Sequence, residues 1–100
     1  MQQTLRVGHK DYDFQIVSLE TLGVTNHQRS YIHIDQALCP TELVSTILHE
    51  ISHALSWVFT MHQQESVTEE KWCDVMGNGL TMVFRDNPWL LTFIKETLEK

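Results

Sequence analysis

Residues 49–53 read His-Glu-Ile-Ser-His, an H-E-x-x-H sequence inside a stretch with helical periodicity. Val44, Ile47, Leu48, Ile51, Ala54, Leu55 and Val58 recur at the i, i+3, i+4, i+7 spacing of one apolar helix face. His49 and His53 lie nearly opposite the centre of that stripe, beside Thr46, Ser56 and Thr60, so they are not core-filling residues of it. Residues four apart on a helix stand one above the other, with Cβ atoms about 5–6 Å apart. Two imidazoles so placed can converge on one tetrahedral Zn²⁺ at about 2.0–2.1 Å. Glu50 is turned about 100° away from His49. It is therefore free to take a proton from zinc-activated water rather than to ligate, which is the pattern of a zinc-dependent hydrolase. The chain holds six His, and a shuffled chain of this composition would contain the motif about 0.03 times. Chance is the weaker explanation.

One hundred residues fit one domain, residues 1–100, with a single modest core. Hydrophobic residues at 42% and charged ones at 20% are globular proportions. A net charge of −6 opposes a nucleic-acid partner, which requires a basic footprint, and opposes an anionic membrane surface. No run of apolar residues is long enough to span a bilayer. Met1-Gln2-Gln3-Thr4-Leu5-Arg6 does not have the form of a signal peptide. Cys39 and Cys73 are too few for a disulfide framework and read as reduced thiols, so a cytoplasmic setting is expected.

Leu5-Arg6-Val7 and Tyr12 to Val17 alternate apolar and polar around Gly8-His9-Lys10-Asp11, which predicts a β-hairpin. Leu22 to His27 reads as loop. Ser30 to Asp35 reads as a third strand, with Ile32 and Ile34 on one face and Tyr31, His33 and Asp35 on the other. Pro40 suits a helix start, and the motif helix is expected from about Thr41 to Met61. Ser66-Val67-Thr68-Glu69 has capping-box spacing, and a second helix is expected from about Val67 to Phe84, with Trp72, Val75, Met76, Leu80 and Val83 on its apolar side. Gly77 and Gly79 inside it predict either close approach to the motif helix or a kink. Asn87-Pro88 is an N-cap and N1 pair opening a last helix, Trp89 to about Leu98. The expected fold is α+β, a small antiparallel three-stranded sheet followed by three helices.

A catalytic zinc takes three protein ligands. Glu70 and Asp74, four apart on the second helix, are the candidates for the third, with Cys73 a softer alternative. The strand Ser30 to Asp35, the stretch Pro40 to Leu48 and His49 to Leu55 together resemble the ImmA/IrrE-type zincin-like metallopeptidases. Asp74 to Leu80 and Val83 to Pro88 look like the corresponding stretch of small phage-encoded relatives. The resemblance implies a zincin-like minimal metallopeptidase core. It implies Zn²⁺ held by His49, His53 and Asp74, with Glu70 in reserve, and Glu50 as general base. It also implies a protein or peptide substrate, and the host cytoplasm if the chain is phage-encoded. Tyr31, His33 and His62 are candidates for a second oxyanion donor. The alternative function is a protein-binding module that keeps the zincin shape with little or no peptidase activity, with Trp57, Phe59 and Trp89 as a surface.

Overall fold

The computed structural model describes residues 1–100 as four strands followed by three helices. The strands are β1 (Gln2–Val7), β2 (Lys10–Val17), β3 (Gly23–Asn26) and β4 (Tyr31–Asp35). The helices are α1 (Pro40–Val58), α2 (Glu69–Asp86) and α3 (Pro88–Leu98), with a short 3₁₀ turn at Met61–Gln63 between the first two. The β1–β2 hairpin forms as its alternation predicts, closed by Gly8-His9, where Gly8 has φ +62°.

The sheet departs from expectation. It has four strands in the order β1-β2-β4-β3, and it is mixed rather than antiparallel, because β2 and β4 run parallel. The extra strand, β3, lies within the stretch 22–27 that reads as loop. It is only four residues long and nowhere buried, so it shows neither a clear period of two nor an apolar run. β3 occupies the far edge and turns back through residues 27–30, where Asn26 Oδ1 accepts the Arg29 amide at 2.8 Å and Ser30 adopts φ +58°. β4 is thereby inserted between β2 and β3, which makes its pairing with β2 parallel.

All three helices cover one face of the sheet. Leu5, Val7, Tyr12, Phe14, Ile32 and Ile34 from the strands meet Ile47, Ile51, Ala54 and Leu55 of α1, Val83 of α2 and Leu90 of α3. Fully burying each of the large aliphatic side chains contributes roughly 1.5–3 kcal/mol. The α1 stripe read from the sequence is the buried face of that helix, apart from Leu48 and Val58, which are half-buried.

Helix ends shift by a few residues, each for a local reason. α1 stops at Val58 rather than Met61, because Thr60 takes the left-handed conformation at φ +56°. α2 begins at Glu69, capped by Thr68 Oγ1 accepting the Lys71 amide at 3.1 Å, so Thr68 and not the expected Ser66 is the cap. Asn87 stands at the N-cap of α3, but its side chain makes no capping bond. It accepts the Arg6 amide at 2.8 Å and donates to the carbonyls of Arg6 and Val83, both at 2.7 Å, tying β1 to the α2–α3 junction.

Candidate metal centre

His49 and His53 project from the exposed side of α1, and their Nε2 atoms are 3.2 Å apart. Two donors on one tetrahedral zinc, each at about 2.0–2.1 Å, lie about 3.3 Å apart. The pair already has the spacing that a shared ion requires. Glu50, between them in sequence, is turned inward and is buried, with Oε2 3.8 Å from Nε2 of His49. The ligand atoms of His49, Glu50 and His53 fall within 4.8 Å of one another, a group able to hold a metal ion.

β3 supplies what surrounds Glu50. Gly23 lies so close to α1 that a Cβ there would sit 2.9 Å from Thr46 Cγ2 and 3.1 Å from Glu50 Cγ. Two residues on, Thr25 Oγ1 donates to Glu50 Oε1 at 2.7 Å and lies 3.3 Å from the Glu50 carbonyl oxygen. Two further, His27 stacks on Trp57 with ring centroids 4.6 Å apart and planes 7° from parallel. The edge strand thus runs along α1 in the same direction as the helix. Residues 23, 25 and 27 face it in turn, as strand alternation demands.

His27, like Thr25, is a site-side residue that the sequence did not reveal. Its Nδ1 is 3.0 Å from the Tyr12 hydroxyl, and His62 also stacks on Trp57, with centroids 4.5 Å apart. Burial lowers the His27 pKa, and the charges of His53, His62 and Lys10 lower it further. Burial pushes Tyr12 up to about 12. At neutral pH the pair is a neutral imidazole beside a neutral phenol. The one available signal was Trp57, which follows His49 and His53 at four-residue steps and so shares their face.

Two shallow hollows flank His49. Leu22, Gly23, Ser45, Thr46 and Glu50 line the first; Ser52, His53, Ser56 and Trp72 line the second. α2 therefore borders the site through Trp72. Asp74, two residues on and about 200° further round the helix, instead lines a separate hollow with Phe59, Lys71, Val75 and Asn78. Asp74 and Glu70 are exposed, and neither belongs to the His49–Glu50–His53 group. Glu69, three residues before Trp72, is the α2 carboxylate on the Trp72 face. Cys39 and Cys73 are both free and exposed.

Of the candidate oxyanion donors, Tyr31 and His33 stack on each other with centroids 4.4 Å apart. They alternate with the buried Ile32 and Ile34, so they belong to the sheet face away from the helices. His62 lies on the α1 side, beside Trp57. No helix is long and apolar enough to cross a membrane.

Fold and site together define a small α+β protein carrying a His-Glu-His group that could hold a metal ion. Comparison with protein-family models, with curated proteins and with solved structures gives no match. The ImmA/IrrE resemblance therefore stands on its motif residues alone.

Proposed function

We propose that this protein is a zinc-dependent metallopeptidase in which His49 and His53 hold the metal and Glu50 is the general base. The observation that carries the reading is the 3.2 Å separation of the two Nε2 atoms, beside a buried carboxylate with one oxygen 3.8 Å from His49. When bound, zinc would activate water and polarise the scissile carbonyl. Glu50 takes the proton of the attacking water and delivers it to the leaving amine. The third ligand is proposed on α2: Asp74 by the family resemblance, or Glu69 by its place on the Trp72 face. The one whose truncation to Ala weakens zinc binding is the ligand. β3, whose outer edge has no strand partner, would align an extended polypeptide across the hollow between Gly23 and His49.

The test is cleavage of a generic unfolded protein by the zinc-loaded enzyme, with Glu50→Gln beside it. The expected result is loss of about 10²–10⁴-fold in kcat with zinc retained. Equal rates for both proteins would remove the mechanism. A protein-binding module is the second reading. It is favoured by Trp57 and Trp72, which are 38% and 41% exposed beside the two histidines. It predicts capture of a protein partner that is insensitive to Glu50→Gln.

A further inference from the structure

The two carboxylate oxygens of Glu50 have different surroundings. Oε1 accepts the Thr25 hydroxyl proton at 2.7 Å, whereas Oε2 lies toward Nε2 of His49 at 3.8 Å. The glutamate side chain is only 8% exposed, so solvent competes little for Oε1. Glutamate has much rotamer freedom to lose, and a base that must meet a proton at one place gains from having that freedom removed beforehand. A hydrogen bond to a carboxylate is charge-assisted and among the stronger kinds. With Oε1 pinned, the group can turn only about that contact, which leaves Oε2 on the histidine side.

The backbone is arranged to bring the hydroxyl there. Thr25 reaches Glu50 because β3 is pressed against α1, and it is pressed there because residue 23 has no Cβ. Thr25 also has an alternative acceptor. The Glu50 carbonyl oxygen is 3.3 Å from Oγ1, so the hydroxyl keeps a partner while the carboxyl carries a proton.

We propose that Thr25 is a positioning residue: its hydroxyl fixes Oε1 of Glu50 and so presents Oε2 to the side where His49 and His53 would hold the metal. The proposal rests on the peptidase reading of the site. In the step concerned, a water O–H bond breaks and its proton goes to Oε2; the water oxygen's electron pair forms the bond to the substrate carbonyl carbon while the C=O π pair moves onto the carbonyl oxygen. Thr25 gains and loses nothing overall.

The experiment compares wild type, Thr25→Val and Thr25→Ser for kcat, KM and zinc affinity. It adds a denaturant-unfolding cycle on zinc-free protein combining Thr25→Val with Glu50→Met, which, unlike Gln, leaves no oxygen to accept the Thr25 hydroxyl. Val keeps the shape and removes the hydroxyl; Ser keeps the hydroxyl. The expected result is a fall in kcat of tenfold or more, on the order of what one hydrogen bond to a charged group supplies. KM and zinc affinity stay at wild-type values in the Val variant, and most of kcat returns in the Ser variant. An unchanged kcat in Thr25→Val overturns the proposal, as does a Ser variant as poor as the Val variant. If wild type shows no zinc-dependent cleavage, the peptidase reading falls instead. The unfolding cycle then decides the contact itself: non-additive stability changes uphold the Thr25–Glu50 coupling, and additive ones overturn it.

Discussion

His27 shows how a residue's surroundings fix its charge. Burial beside Tyr12 and Trp57 disfavours the imidazolium, and His53, His62 and Lys10 add positive charge nearby, so its folded pKa lies below the ordinary 6.5. A group with a depressed folded pKa binds more protons when unfolded, so stability rises with pH across the interval between the two values. Stability from His27 is thus fully present above about 6.5 and is lost as pH falls through the folded value. In zinc-free protein, the stability advantage of wild type over His27→Gln should shrink between about pH 7.5 and 5.5, followed by urea unfolding. An advantage that is constant or grows would show that His27 is not held neutral. Legibility at this scale divides cleanly. His49, Glu50 and His53 are neighbours in sequence and fixed by helix geometry, so they could be read directly. Thr25 and His27 reach the site through contacts 25 and 30 residues along the chain, made by a strand that leaves no local trace.

Among the elements, the helices were the most legible and β3 the least. An amphipathic period sustained over nineteen residues, as in α1, leaves many mutually consistent positions; four half-exposed residues leave almost none. The parallel β2–β4 pairing follows from where the chain turns after β3, and no residue of β2 or β4 encodes it. The glycine pair of α2 separates into two cases. A Cβ at Gly79 would lie 2.7 and 3.0 Å from the two δ-carbons of Leu55, a core residue with no exposed surface, so here the helices do approach closely. At Gly77 no atom lies within 4 Å of such a Cβ. Gly77→Ala should therefore stabilise by roughly 0.5–1 kcal/mol, the ordinary gain in a helix interior. Gly79→Ala gains the same propensity but must displace Leu55, an overpacking cost of about 1–3 kcal/mol. It should come out destabilised, and chemical denaturation of the two variants checks the contrast. Equal stabilisation of both would mean that α1 and α2 are further apart than Leu55 and Gly79 indicate.

For the whole molecule, the core and the two histidines lie on opposite sides of α1. Twelve buried residues from six elements close the core without any contribution from His49 or His53, both of which are exposed. The fold should therefore survive without zinc, unlike small domains that fold only around their metal. Zinc should nevertheless stabilise it, because the 3.2 Å pair exists only when α1 is formed. A ligand at a hundred times its dissociation constant adds about 2.7 kcal/mol. For a domain of this size each kcal/mol moves Tm by about 4–8 °C. Zinc at that excess should then raise Tm by about 10–20 °C. A chelator should reverse the shift while leaving the far-ultraviolet circular dichroism at 25 °C unchanged, and His53→Ala should lose the zinc response but keep the spectrum. Collapse of the spectrum on chelation would make the metal part of the fold. A Tm indifferent to zinc in the native chain would mean that the two imidazoles do not share an ion, and the peptidase reading would fall with it.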